Sequence, residues 1–131
     1  LVQELNIGSH VEFLGKKDEV AHWISLADLL LLPSEKESFG LVALEAMACG
    51  VPTVGSATGG LPEVVVHGEN GYLAEVGDVE TMAHYAVRLL NDPELHREFS
   101  ENGIARARTL FCVERIGEQY EAIYHRVLEE R

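Results

Sequence analysis

The chain has 131 residues, of which 47% are hydrophobic, and its 22 acidic and 10 basic side chains give a formal net charge of −12. This size allows one domain with a hydrophobic core, and the acidic balance argues against nucleic acid and anionic membranes as partners, because both bind clustered Lys and Arg. The longest apolar run, Leu29–Pro33, is far shorter than the roughly 20 residues of a spanning helix, so we expect a soluble, cytoplasmic protein without a transmembrane segment.

The first residues, Leu1–Leu5, have the pattern of a helix that lacks both an initiator Met and an N-cap, so we expect the chain to be part of a longer protein. A strand is predicted over His10–Leu14, and a helix is predicted from Asp18. The apolar residues of that helix recur on one face, and this predicts a core position for Trp23. They are Val20, Trp23, Ile24 and Ala27.

The run Asp28–Pro33 does not alternate with polar residues, which predicts a strand buried on both faces, as in a parallel sheet. In the segment that follows, Gly50 fits the position after the end of a helix, and Pro52 prevents the helix from continuing. A third strand is therefore predicted over Thr53–Gly55. A fourth strand is predicted near Tyr72–Leu73, after a turn signal.

Helices are predicted to close the chain, over Met82–Leu90, over Pro93–Phe111 with Asp92 as the N-cap, and over about residues 113–130. The last helix repeats apolar residues every three or four positions, which predicts a packing face first and a docking face for another domain second. Strands that alternate with helices predict an α/β domain with a mostly parallel sheet. In such a sheet, ligands bind beyond the carboxyl ends of the strands.

A helix start at Ser38–Gly40 follows the predicted strand Asp28–Pro33, and the helix is apolar apart from Glu45. A carboxylate in an apolar setting is costly, so we expect a partner for Glu45 in the fold or in a ligand. The N–H groups of the first turn have no intrahelical partners and suit a phosphate, while Glu37 and Glu45 could accept hydrogen bonds from sugar hydroxyls. The alternative gives Glu45 an arginine or backbone partner and makes Glu37 an ordinary carboxylate at a helix start.

The pair Gly59–Gly60 follows the third predicted strand and has two interpretations. It could bring backbone close to a ligand, or it could form a tight turn from strand to helix. The six His residues show no catalytic or metal-binding spacing, and we predict no metal. Cys49 and Cys112 also lack ligand spacing and are predicted to be reduced thiols in or near the core.

Cationic side chains are missing from the middle of the chain. The three Lys lie at or before Lys36 and the seven Arg lie at or beyond Arg88, so residues 37–87 contain neither, although they contain eight of the twelve Gly. An anion bound by this segment would be held mainly by backbone N–H groups and helix N-termini.

The stretch SEKESFGLVALEAMACGVP, followed by GGLPEVVVHGENGYL, resembles the retaining glycosyltransferases of GT-B architecture that carry a Glu-x7-Glu motif, known as glycosyltransferase family 4. The resemblance covers essentially all 131 residues and corresponds to most of the donor-binding C-terminal domain. It implies a Rossmann-like, three-layer half of a GT-B fold with helices on both faces of the sheet. Residues 1–131 would then be one domain, truncated at its N-terminus, and a missing N-terminal domain would hold the acceptor.

The resemblance also implies roles for residues. Glu37 would contact hydroxyls of the transferred sugar, and Glu45 would bind the ribose of the donor. The remaining implied donor-binding residues are Gly15, Lys16 and Lys17 beside the nucleobase, and Ser38, Phe39, Gly40, Leu41 and Val42 along the sugar and diphosphate.

Within this family, LLLLPSEKESFGL and EAMACGVP are most similar to a branch that acts in bacillithiol biosynthesis. That similarity implies UDP-N-acetylglucosamine as donor, L-malate as acceptor, retained anomeric configuration and no metal or other cofactor. Family members neutralise the leaving diphosphate with basic residues that this chain lacks, so we expect it to bind donor weakly and to transfer nothing alone. The alternative is a noncatalytic nucleotide-binding or docking module, and an exposed sheet edge could promote homo-oligomers.

Overall fold

The structure of the protein is a computed structural model, and it describes residues 1–130. Three parallel strands form one sheet in the order β1-β2-β3: β1 is Leu30–Leu32, β2 is Thr53–Ser56 and β3 is Gly71–Ala74. Leu31 lies opposite Val54, which lies opposite Tyr72. The predicted parallel α/β sheet is therefore confirmed, with strand positions close to those expected.

The helices are α1 (Val20–Ser25), α2 (Leu41–Ala48), α3 (Leu61–Val64), α4 (Val79–Asn91), α5 (Pro93–Leu110) and α6 (Val113–Glu129), with one 3-10 turn at Gly8–His10. Two predicted signals act as expected. Asp92 accepts a hydrogen bond from the amide of Leu95 at 3.0 Å, and so caps α5. Gly50 has a φ of +77° just after α2, which lets the chain leave the helix in a left-handed conformation.

Helices cover both faces of the sheet. On one face, Leu32 and Leu73 pack against Met47 of α2 and Leu61 of α3. The opposite face packs against α4 and α5, and its cluster comprises Val54, Tyr72, Ala74, Met82, Leu89 and Phe99. Because α2 and α3 connect the strands in order, the carboxyl ends of β1 and β2 both lead into loops at the same edge of the sheet.

The N-terminal predictions are wrong in three places. Leu1–Leu5 forms hydrogen-bonded turns and no helix, and His10–Leu14 forms no strand, because the extended chain after His10 has no partner strand within residues 1–130. Trp23 is 38% exposed, because Ile24 is the one residue of α1 that reaches the core.

Two burial predictions also fail. β1 is half-buried on one face and exposed on the other, since Leu30 and Leu32 are partly buried and Leu31 is 55% exposed at an edge of the three-stranded sheet. Both cysteines are free, as expected, but Cys49 is exposed and Cys112 is only half-buried, so neither belongs to the core.

Candidate functional site

The loop between β1 and α2, residues 33–40, organises the candidate site at the carboxyl end of β1. Within it, the Glu37 carboxylate accepts a hydrogen bond from the Gly40 amide at 3.2 Å and a longer one from the Ser34 hydroxyl at 3.5 Å. Glu37 is half-buried, so its carboxylate is held by the loop and still meets solvent. This is the helix-start arrangement that the sequence left open for Glu37.

Helix α2 begins at Leu41, later than the predicted start at Ser38–Gly40, because Gly40 has a left-handed φ of +91° and serves as the N-cap. The amides of Leu41, Val42 and Ala43 make no hydrogen bond within residues 1–130. Since the first N–H groups of a helix have no intrahelical acceptor, and Ala43 is fully buried, α2 presents the free amides of Leu41 and Val42 near the carboxylate of Glu37. The positive end of the helix dipole adds to their attraction for an anion.

Glu45 lies on the exposed side of α2, which corrects the expectation that it stands in an apolar setting. Leu41, one turn earlier on the same side, is 65% exposed. The buried side of α2 carries Ala43, Ala46 and Met47 instead. The apolar residues around Glu45 in the sequence therefore lie on a different side of the helix from Glu45. Glu45 has no ion pair or hydrogen bond to another side chain within residues 1–130, and its side chain is exposed to solvent.

A second loop, between β2 and α3, packs directly on the first. The Thr58 hydroxyl donates to the carbonyl oxygen of Glu35 at 3.4 Å. Gly59 and Gly60 lie against the backbone of Glu37 and Ser38 with no room for a side chain between them. The Gly59–Gly60 pair is thus a tight turn from strand to helix, and what it brings close is the Glu37 loop.

Gly15, Lys16 and Lys17 are exposed and precede α1. Gly15 has a φ of +66°, and the Lys17 ammonium lies 4.9 Å from the centroid of the Trp23 ring. The helix that follows them contacts α2, with the Cys49 thiol 3.9 Å from the carbonyl oxygen of Ala21. Lys17 therefore lies against α1, and α1 in turn packs against α2.

Phe39 and Leu41 border a groove of about 710 Å³ between α2, α3 and α6. The rings of Phe39 and Phe111 meet edge to face, with centroids 6.0 Å apart, at the floor of this groove. The groove is mostly apolar, and Glu63 is its one acidic lining residue. Glu37 and Glu45 do not line it, so it is a feature separate from the two carboxylates.

Within the part of the chain that the structure describes, no three His, Cys, Asp or Glu side chains cluster as metal ligands would. No helix in that part is both long enough and apolar enough to cross a lipid bilayer.

The structure brings together Glu37, Ser38, Phe39, Gly40, Leu41 and Val42 of the predicted site, since these residues form one loop and one helix start. The contact between Gly59 and Glu37 was not predicted. Its signal was present as two adjacent glycines in the loop after a strand, but spacing alone could not identify the backbone that they approach.

Comparison with known proteins gives the same family along most of the chain. The family described as Glycosyl transferases group 1 matches residues 1–106. The N-acetyl-alpha-D-glucosaminyl L-malate synthase of Bacillus anthracis is 53% identical over 130 residues, covering 99% of this chain and 34% of that protein.

Solved structures give the same picture. Sucrose-phosphate synthase from Thermosynechococcus elongatus superimposes with a TM-score of 0.92 at 39% identity, over 99% of this chain and 33% of that one. HepE from Anabaena, solved in complex with UDP, superimposes with a TM-score of 0.91 at 30% identity, over 95% of this chain and 34% of that one. The chain thus spans about a third of the length of these proteins.

Proposed function

Because this chain belongs to the group 1 family of glycosyl transferases, we propose that it is the donor-binding part of a retaining, cytoplasmic glycosyltransferase of GT-B architecture. The proposed donor is UDP-N-acetylglucosamine, and the proposed acceptor is L-malate. The sugar and the malate are suggested by the name of the similar B. anthracis synthase, and the uridine nucleotide by the HepE complex with UDP.

One observation carries the proposal: the free amides of Leu41 and Val42, at the start of α2, lie near the Glu37 carboxylate at the carboxyl end of β1. The amides suit the diphosphate of a nucleotide sugar, because an anion at a helix N-terminus gains both hydrogen bonds and dipole attraction. Glu37 is an acceptor beside them, where it suits the hydroxyls of the transferred sugar. No metal is needed for this arrangement, and we propose that none is used.

The remaining roles extend from this centre. We assign Glu45 to the ribose hydroxyls, because it is exposed, lies one turn beyond Leu41 and has two oxygens free to accept from a vicinal diol. Gly15, Lys16 and Lys17 are assigned to the nucleobase. The solved complexes of HepE with UDP and with UDP-glucose support a uridine nucleotide as the kind of donor.

The direct test is a titration of the chain with UDP and with UDP-N-acetylglucosamine, followed by amide NMR. We expect weak binding of both, with the largest shifts at Leu41 and Val42. Glu45→Gln should weaken binding of both ligands about tenfold, as for a hydrogen bond to a charged group. Its melting temperature should stay unchanged, because the side chain is exposed and unpaired within residues 1–130.

Glu101→Gln is the matched control, since Glu101 is also an exposed helical carboxylate but lies on α5. It should change neither affinity nor stability. Equal affinities for the wild type and Glu45→Gln would contradict the assignment of Glu45. A chain that binds neither nucleotide would contradict the proposed function.

Sugar transfer by the chain alone is not expected. Residues 37–87 contain no Lys or Arg, and helix amides contribute only about 0.3–2 kcal/mol toward an anion, less than a leaving diphosphate requires. Incubation with UDP-N-acetylglucosamine and L-malate, followed by mass spectrometry, should therefore show no glycosylated malate. Product formed by the chain alone would overturn this part of the proposal.

We also propose a docking role for the apolar residues of α6. No residue of α6 is buried. Besides Val113 at its start, its exposed apolar residues, here called the α6 stripe, are Tyr120, Ile123, Tyr124, Val127 and Leu128. The proposed occupant is another domain of the whole protein, as the chain spans only about a third of its relatives. Sedimentation velocity tests the competing outcome: a concentration-dependent dimer lost in Tyr124→Glu would assign the stripe to a second copy.

A further inference from the structure

The β2–α3 loop and the Glu37 loop touch at a point where only glycine fits. Gly59 has a φ of +56°, and a Cβ atom placed there would overlap the carbonyl oxygen of Glu37 and lie 2.6 Å from its carbonyl carbon. Backbone atoms cannot move aside as the tip of a flexible side chain can. A side chain at position 59 must therefore push the β2–α3 loop and the backbone of Glu37 apart.

The next residues continue this contact. A Cβ atom at Gly60 would lie 2.7 Å from the carbonyl oxygen of Ser38 and 2.9 Å from the Cα atom of Phe39. One residue before Gly59, the Thr58 hydroxyl bonds to the carbonyl oxygen of Glu35 at 3.4 Å. Three consecutive residues of one loop thus fix the path of the other loop on both sides of Glu37.

The Glu37 carboxylate depends on this path, because its hydrogen bonds to Gly40 and Ser34 both stay within the same loop. A shift of the Glu37 backbone would move the carboxylate relative to the amides of α2. We infer that Gly59 is a positioning residue for Glu37: it does not touch the donor and sets where Glu37 meets the transferred sugar. This inference rests on the proposed function.

The test separates the sugar from the nucleotide. Gly59→Ala should weaken binding of UDP-N-acetylglucosamine about tenfold and change binding of UDP less than about twofold, because UDP has no sugar for Glu37 to bind. Both dissociation constants are measured by NMR titration of the whole chain. A general loss of structure would weaken binding of both ligands alike, and so would not produce this difference between them.

Gly77→Ala is the matched control. Gly77 also has a positive φ, +83°, but no atom lies within 4 Å of the position of its Cβ, so Ala there meets the same backbone penalty without a clash. We expect this variant to bind both ligands as the wild type does. If Gly77→Ala also weakened binding of UDP-N-acetylglucosamine more than binding of UDP, and by as much as Gly59→Ala does, the inference would be overturned.

A double variant tests the route through Glu37. Glu37→Gln should itself weaken binding of UDP-N-acetylglucosamine. Adding Gly59→Ala should then cause little further loss of affinity, because both changes remove the same interaction. If the two losses multiply instead, Gly59 acts independently of Glu37 and the inference fails.

Thr58→Val is a second variant that can be tested if Gly59→Ala does not fold, since it removes only the hydroxyl bonded to Glu35. It should weaken binding of UDP-N-acetylglucosamine by about threefold and leave binding of UDP unchanged. If neither affinity changed, the inference would be overturned. A wild-type chain that binds neither ligand refutes the proposed function and this inference with it. A wild type that binds both, with no split in Gly59→Ala or Thr58→Val, refutes the inference alone.

Discussion

Helices α5 and α6 have nearly the same length, 18 and 17 residues, and both place apolar residues on one side, yet they differ in burial. In α5, Phe99 is 1% exposed and Ala107 is 8% exposed, and both belong to core clusters on the sheet. In α6 no residue is buried, and Leu128 is 68% exposed. A helical repeat of apolar residues therefore identifies the face that a helix would bury, and says nothing of whether a neighbour covers it.

The largest expected difference between the two helices is in the core. Phe99→Ala should lower the free energy of unfolding by about 3–5 kcal/mol, because it leaves a cavity where the ring packs against Tyr72. Leu128→Ala, on the exposed side of α6, should change it by less than about 0.5 kcal/mol. Urea denaturation followed by circular dichroism measures both. Similar losses in the two variants would show that α6 is packed as tightly as α5.

The next largest difference is between two arginines. In α5, the Arg106 guanidinium donates to the carbonyl oxygens of Glu63 at 2.7 Å and Val64 at 3.1 Å, the last residues of α3. In α6, Arg115 donates to the carbonyl oxygen of Thr109 at 3.2 Å and to no other group within residues 1–130. Arg106→Ala should cost about 1–2 kcal/mol in the same denaturation experiment, because it removes the donor to the carbonyl oxygen of Glu63 and leaves that of Val64 with the Asn70 side chain alone.

Arg115→Ala is the control for that experiment and should lower the free energy of unfolding by less than about 0.5 kcal/mol. Arg115 is exposed, and its acceptor, the carbonyl oxygen of Thr109, lies only six residues earlier in the chain. If Arg115→Ala lowered the free energy of unfolding as much as Arg106→Ala does, the contact between α5 and α3 would not be the reason for the effect of Arg106→Ala.

The helix N-termini differ by a smaller amount. Asp92 caps α5, whereas Cys112 stands at the N-cap of α6 without a side-chain hydrogen bond. Asp92→Ala should therefore lower stability by about 1 kcal/mol, and Cys112→Asp should raise the local stability of α6 by up to about 1 kcal/mol. Hydrogen exchange of the α6 amides measures the second effect. Exchange that is not slowed by Cys112→Asp would mean that α6 is limited by something other than its missing cap.

The smallest expected effect depends on pH. The backbone amide of Thr81, with its side chain, lowers the pKa of the Asp78 carboxyl at the N-cap of α4. A pKa lowered by folding adds stability above about pH 4, where an unfolded Asp is ionised, and this stability is lost as the pH falls through the lower folded-state pKa.

Asp78→Asn should accordingly reduce the dependence of the urea midpoint on pH below about pH 4. Glu80→Gln is the control, because Glu80 is an exposed acid in the same first turn and should leave this dependence unchanged. An identical acid profile for Asp78→Asn and the wild type would contradict the assigned role of Asp78.

Much of the fold follows from local signals. Asp92 and Gly50 mark helix ends by their own chemistry, and the run Leu29–Leu32 marks a strand by its apolar side chains. Trp23 and His10–Leu14 were predicted wrongly, because burial and strand pairing both depend on neighbours that a local pattern does not contain.

The candidate site was predictable to a similar extent. The order of strand, polar turn and helix located Glu37 and the free amides of α2, since that order sets where a helix begins. The exposure of Glu45 was not predictable, because one turn of an apolar helix offers several faces and the packing of Met47 and Ala43 decides between them. Contact between Gly59 and Glu37 depends on two loops 22 positions apart, which only the folded sheet brings together.

Helix α3 is only four residues long, yet it is held at both ends. Arg106 binds its last carbonyl groups from α5, and the glycines at its start lie on the backbone of Glu37 and Ser38. Because the helix is so short, its two sets of contacts lie within one turn of each other. Through these contacts α3 links α5 to the loop that carries Glu37, and we expect them to fix the position of this loop relative to α5.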